Sequence, residues 1–284
     1  MTDTFVGRII KHLRRIYRRI SMIEHRLALL EPVVSTWTVS SWIEQATLER
    51  TPLVSVILPT RNRSGLLRRA IGSVYVQIYN NWEIVLVDDG SVDDTPAVVE
   101  QLRNDLGENR LQSFRISPSG VSAARNYALG RARGEFITYL DDDNVMHSLW
   151  LKAVVWSFLQ RPEVDVIYGG MISDDIRHGK SRAGNDFPSY FLRPFDPQRL
   201  VESNLADMGQ LAHRRGLPEA YFDESLRTMV DWDLLLRLTR EKPPLVIPAV
   251  ACFYSTRALD RLSANPPRER DVARVLEKAR RLFR

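Results

Sequence analysis

Between residues 9 and 30 the apolar side chains Ile9, Leu13, Ile16, Ile20, Ile23, Leu27 and Leu30 recur at alternating steps of four and three. That is the spacing of a helix with one narrow apolar stripe, sustained for about three heptads. Pro32 ends it, and the Ser/Thr-rich residues 35–41 read as a connector. Such a stripe can pair with a second copy of itself, dock on the rest of the chain, or lie on a membrane with its arginines toward lipid phosphates. After Pro52 the pattern changes to short β-branched runs alternating with helical stretches, the signature of βαβ units. Strands are expected over 53–58, 83–87, 112–116, 136–140 and 164–168. Helices are expected over 64–77, capped by Ser64, over 94–106, opened by Thr95-Pro96, and over 121–132 and 149–159. Residues 169–218 lose clear periodicity and read as loops around a site. Order returns with a helix over 232–239, a strand over 245–250 and a basic amphipathic helix from 271. The predicted fold class is α/β: a mostly parallel sheet flanked by helices, with an N-terminal heptad helix. Three regions follow: an amphipathic basic helix and connector (1–50), a central α/β domain (51–262) and a basic C-terminal helix (263–284).

Composition narrows the class without changing that outline. The 284 residues, 44% hydrophobic, suffice for one sizeable core. The single cysteine, Cys252, excludes an intrachain disulfide framework and a cysteine-cluster zinc site, and points to a reducing compartment. No apolar run reaches the roughly 18 residues of a membrane span, so a cytoplasmic location is expected. Net charge is +5, but residues 5–23 carry six Lys/Arg and no acid, and 267–284 carry seven basic against three acidic side chains. The ends together hold +10 and the remainder −5, which predicts terminal contacts with an anionic surface. An acidic middle without a nucleic-acid motif argues against a nucleic-acid partner.

In open α/β sheets the ligand crevice lies at the carboxyl ends of the strands. Three predicted strands end there in polar runs: Pro59-Thr60-Arg61-Asn62-Arg63, Asp88-Asp89-Gly90-Ser91 and Asp141-Asp142-Asp143-Asn144. Neither G-x-G-x-x-G nor G-x-x-x-x-G-K-[ST] occurs, so bound phosphate would have to be met by a metal and arginines. Three adjacent carboxylates repel one another and raise one another's pKa. They are either a solvated acidic turn or a site where Mg²⁺ or Mn²⁺ removes that cost.

At this point the chain resembles the family 2 inverting glycosyltransferases with a glycosyltransferase-A fold, the nucleotide-diphospho-sugar transferase type. The resemblance is carried by Val54 to Asn62, by Glu83 to Ser91, and by Gly120-Val121-Ser122-Ala123-Ala124-Arg125-Asn126 through to Leu140-Asp141-Asp142-Asp143. It implies a nucleotide pocket of Pro59, Thr60, Arg61, Asn62, Asp88, Asp89, Arg125, Asp141 and Asp142, with Asp143 holding Mn²⁺ or Mg²⁺ on the diphosphate. The segment Val230-Asp231-Trp232-Asp233 is similar to the family's Glu-Asp-Trp-Asp and makes Asp231 the general base; read as a bare residue, Asp231 is equally an acidic helix cap. Asp233 reads as a first-turn carboxylate complementing the helix dipole. Val230 departs from the pattern, and Arg257 is the one plain cation of Tyr254-Ser255-Thr256-Arg257. His213 reads as an ordinary histidine near the acceptor side. The resemblance further implies a nucleotide-sugar donor, a UDP-sugar by kinship, and a saccharide or lipid-linked acceptor in bacterial surface polysaccharide or glycolipid synthesis. Peripheral contact with the inner face of the cell membrane and a homo-oligomer through residues 9–30 are the expected associations. A catalytically impaired nucleotide-sugar-binding or scaffolding module is the alternative that Val230 raises.

Overall fold

The computed structural model describes residues 35–173, 189–255 and 268–282; the heptad stripe, Thr256 and Arg257 lie outside them. Strands β1 (Val54–Thr60) and β2 (Trp82–Asp88) are buried at every position, as apolar strands covered on both faces must be. They pair in parallel, from Val54 against Trp82 to Thr60 against Asp88. Parallel pairing continues outward to β3 (Leu111–Arg115) beside β2 and inward to β4 (Phe136–Tyr139) beside β1.

Beyond β4 the sheet becomes mixed. Strand β8 (Leu211–Arg214) is antiparallel to both β4 and β6 (Val166–Ser173), while β9 (Leu245–Tyr254) runs parallel to β6. Two short strands, β5 (Val145–Met146) and β7 (Ser189–Phe191), pair antiparallel with β9 and β6. The order is β3-β2-β1-β4-β8-β6-β9-β5, so the continuously parallel part, β3-β2-β1-β4, is the half that carries the polar strand ends.

Alternation along the strands divides the interior. Val54, Val56, Leu58, Ile84 and Leu86 face a core shared with α2 (Ser64–Tyr75), α3 (Thr95–Leu106) and α5 (Trp150–Gln160). Ile57, Val85 and Val87 face a second core shared with α4 (Val121–Leu129), α6 (Pro197–Glu202), α7 (Val230–Leu238) and α8 (Arg268–Leu282).

Several expectations change. Residues 35–45 are helical (α1), not a connector: Ile43 is fully buried in the first core, and Thr36 Oγ1 lies 2.6 Å from the Tyr190 hydroxyl. Tertiary contact overrides the modest helix propensity of Ser and Thr there. Ser64 is not a cap; Arg63 holds the N-cap position without a side-chain bond, and Ser64 N–H donates to Asp93 Oδ2 at 3.3 Å. The stretch read as loops contains most of β6, then β7, α6, a 3-10 turn (Met208–Gln210) and β8. Each is too short for a periodic pattern to register. Helix α8 is no free appendage, since Val275 and Ala279 are fully buried in the second core.

Candidate active site

The carboxyl ends of β1, β2 and β4 open on a cleft of about 500 Å³. Its walls are Pro59 to Arg63 after β1, Asp89 after β2, Gly120, Val121 and Arg125 of α4, and Asp141, Asp142 and Asp143 after β4. Asp207, Met208, residues 227–231 and Tyr254 close the other side. The cleft thus brings together every predicted site residue except Asp88.

Asp88 lies outside the cleft lining. Its Oδ1 accepts Ser91 N–H at 2.8 Å and its Oδ2 lies 3.6 Å from Arg115 Nε, so the side chain closes the turn behind the cleft. Asp89 faces the opening instead, accepting Ser119 N–H at 2.6 Å and Gly120 N–H at 2.9 Å, with Arg61 Nη1 at 3.5 Å. Gly90, at φ +70°, permits that turn, because a Cβ there would lie 2.6 Å from the Pro118 ring. Asn62, at φ 53°, tolerates the left-handed region and ties the two loops through its Oδ1 to Val92 N–H at 2.8 Å.

The acidic run is held by cations. Asp142 accepts Thr60 Oγ1–H at 2.8 Å and Arg63 Nη1–H at 3.0 Å, and the same Nη1 reaches Asp143 Oδ2 at 2.8 Å. Arg125 Nη2 donates to Asp141 Oδ1 at 2.5 Å, while its buried Nε–H has no hydrogen-bond partner. Burial pushes Asp142 up to about 6; Arg63 and Thr60 oppose the shift, and Asp143 and Asp141 add to it. The lining carries six aspartates, Asp89, Asp141, Asp142, Asp143, Asp207 and Asp231, against four arginines, Arg61, Arg63, Arg125 and Arg227. Among the described residues no three of these carboxylates are grouped to hold a metal ion by themselves, so a divalent cation bound here would need phosphate oxygens and water to complete its shell.

Asp231 occupies the opposite wall. Helix α7 begins at Val230 after Met229, whose φ is 58°, so Asp231 is a first-turn residue and not the N-cap. Its Oδ1 accepts Trp232 N–H at 2.9 Å and its Oδ2 accepts Asn204 Nδ2–H at 2.8 Å. Burial raises its pKa. Asp207 beside it is pushed up to about 8, by burial first and then by the charges of Asp231 and Asp141.

Sequence reasoning missed Arg63, Asp207 and Arg227 as site residues. Arg63 lay in the same polar run as Arg61, and Asp207-Met208-Gly209-Gln210 has the spacing of a capping box, which forms here. Arg227 carries no such signal. His213 is outside the cleft: its ring bonds Tyr139 Oη at 2.7 Å and the Arg214 carbonyl at 2.8 Å, and burial lowers it to about 4. Asp233 is indeed in the first turn of α7, ion-paired with Arg237 at 2.9 Å and Lys278 at 2.8 Å.

The profile described as "Glycosyl transferase family 2" matches residues 55–224, which spans every wall of the cleft but residues 227–231 and Tyr254. The chain belongs to this family. It is a glycosyltransferase, similar to a PGL/p-HBAD biosynthesis glycosyltransferase of Mycobacterium bovis, 30% identical over 66% of this chain and 69% of that one. It is 41% identical to the GalNAc(5)-diNAcBac-PP-undecaprenol beta-1,3-glucosyltransferase of Campylobacter jejuni, over 34% of this chain and only 31% of the relative. Among solved structures, Staphylococcus aureus TarS 1–349 in complex with UDP-GlcNAc superposes with a TM-score of 0.64 at 23% identity, over 80% of this chain and 66% of that one. The Pyrobaculum calidifontis mannosyltransferase PcManGT, in complex with GDP-Man and Mn²⁺, gives 0.61 at 20% identity, over 93% and 75%. These likenesses establish the glycosyltransferase-A fold of this family 2 enzyme.

Proposed function

We propose that this family 2 glycosyltransferase moves a sugar, with inversion, from a UDP-sugar to a hydroxyl of a saccharide or lipid-linked acceptor in surface polysaccharide or glycolipid assembly. The observation that carries the reading is the placement of Asp231 across one cleft from the Asp141–Asp143 carboxylates. In this reading Asp89, Thr60, Asn62 and Pro59 border the nucleoside, Asp141 and Asp142 the ribose side, and Arg61, Arg63 and Arg125 the phosphates; the orphaned Arg125 Nε–H is a donor that a nucleotide oxygen satisfies. Asp143 holds Mg²⁺ or Mn²⁺, which supplies Lewis-acid neutralisation of the departing diphosphate when bound. Asp231 takes the proton of the acceptor hydroxyl as that oxygen bonds to the anomeric carbon and the bond to the diphosphate oxygen breaks on the opposite face. Its raised pKa makes it a stronger base than an exposed aspartate, and Asn204 fixes its orientation. In this reading the enzyme works at the cytoplasmic face of the membrane and pairs through residues 9–30; the basic N-terminal segment and its heptad spacing support it. We take 51–262 as the catalytic part, with α1 and α8 packed onto it.

The test is donor hydrolysis and binding with UDP-, GDP- and dTDP-sugars, with and without Mn²⁺, on the intact chain, Asp143→Ala and Asp231→Asn. Metal-dependent turnover of one donor should be lost in both variants, by about 10²–10⁴-fold for Asp231→Asn, while Asp231→Asn still binds donor. Metal-dependent binding without turnover in the intact chain would establish a binding module in place of an enzyme acting through Asp231.

A further inference from the structure

Helix α1 turns only part of its surface to the protein. Thr36 and Ile43 are buried and Val39 packs against the first core, which defines one inward line at helical spacing. Trp37 and Trp42 point away, 75% and 65% exposed. At about 100° per residue they stand about 140° apart, one on each rim of the outward face. The one charged side chain of α1 is Glu44, exposed in its last turn; the rest of the helix is uncharged, which is unusual for a helix presented to water. The turn after α2 adds Ile78, 43% exposed. Ile78 shares a surface hollow with Ala46 and Leu48, just past α1, and with Lys152, whose ammonium donates to the Glu44 carbonyl at 2.6 Å.

We infer that the outward face of α1 is an interfacial anchor that seats the enzyme on an anionic lipid bilayer. This deepens the membrane-face reading above and names its contact residues. Two tryptophans on opposite rims do not form the single stripe that a partner helix needs for knobs-into-holes packing. A planar interface accommodates both, and tryptophan partitions to the headgroup level of a membrane because its ring is apolar and its N–H polar. Charge complementarity supports the same occupant, because the six Lys/Arg of residues 5–23, without an acid among them, precede α1 in the chain.

The experiment is co-sedimentation of the full chain with vesicles of phosphatidylcholine and phosphatidylglycerol, against vesicles of phosphatidylcholine alone, for the intact protein and Trp37→Ala/Trp42→Ala. Both side chains are exposed, so the variant should fold, and unchanged donor hydrolysis without lipid confirms that it does. Partitioning to the anionic vesicles should fall by at least about tenfold in the variant. Intact protein should show a blue shift of tryptophan emission on binding, which reports on α1 because Trp82, Trp150 and Trp232 are buried and Trp156 is partly so. Equal partitioning of variant and intact protein would overturn the α1 anchor while leaving the membrane reading standing. No partitioning of the intact protein would end both. A lipid-free dimer that the variant loses would assign the face to a second copy instead.

Discussion

Asp207 carries a proton where an ordinary aspartate has lost it, because burial and the charges of Asp231 and Asp141 disfavour its anion. The folded protein therefore binds more protons than the unfolded chain between about pH 4, the unfolded value, and about pH 8, the folded one. Stability must fall as pH rises through that window, since deprotonation is easier in the unfolded state. Asp207→Asn keeps an oxygen to accept Gly209 N–H, which Asp207 now does at 3.2 Å, and removes the titration. The expected outcome is a thermal midpoint that declines less steeply from pH 5 to pH 8 in Asp207→Asn than in the unsubstituted protein. Asp142 and Asp231, also raised, leave some decline in both. Parallel curves would mean that Asp207 is already ionised in the native state. At this scale the sequence showed which residues end strands but not which way they turn. Asp88 and Asp89 are neighbours of one type, and only the closure of the turn onto Ser91 decides that Asp89 faces the cleft.

At the scale of elements, legibility followed length and continuity. β1, β2 and β4 were readable because strands buried on both faces leave unbroken apolar runs. Strand β7, three residues long, and β8, four, offered no period, and α1 was hidden by Ser and Thr residues that also suit connectors. The join between β1 and β4, which sets the acidic run beside Thr60, depends on a close approach. An alanine Cβ at Gly134 would lie 2.5 Å from Ser55 N and 2.9 Å from the Leu53 carbonyl, and Gly134 N–H already donates to Ser55 Oγ at 2.8 Å. Backbone cannot yield as a flexible side chain can. Gly134→Ala should therefore cost about 2 kcal/mol, visible as a lower denaturant midpoint, and should reduce transfer by displacing Asp141 to Asp143. An unchanged midpoint would show that the two strands separate without penalty.

At the scale of the molecule, the C-terminal helix joins the site to the rest of the fold. Read from composition, α8 is a basic tail for an anionic surface, yet part of its charge is turned inward. Lys278 pairs with Asp223 and Asp233, and Arg274 donates to the Ser225 carbonyl at 3.0 Å. That leaves the N-terminal segment as the stronger candidate for lipid contact. Sequence could not reveal this because the partners lie some 40 to 55 positions away, and only packing of Val275 and Ala279 onto α7 and α6 brings them near. The decisive bond is buried Asp271, whose Oδ2 accepts Arg227 N–H at 3.0 Å, Thr228 N–H at 2.9 Å and Thr228 Oγ1–H at 3.0 Å. Those residues border the cleft directly before the strained Met229 and Asp231. Asp271→Ala strands three donors and frees the loop that leads into Asp231, the proposed base, at a cost of about 1–3 kcal/mol for each buried group left unsatisfied. The expected result is a lower midpoint together with a fall in kcat larger than any change in donor KM, because the wall proposed to take the nucleotide and metal is built on the ends of β1, β2 and β4. A loss of stability with kcat intact would instead show that α8 supports the fold without positioning Asp231.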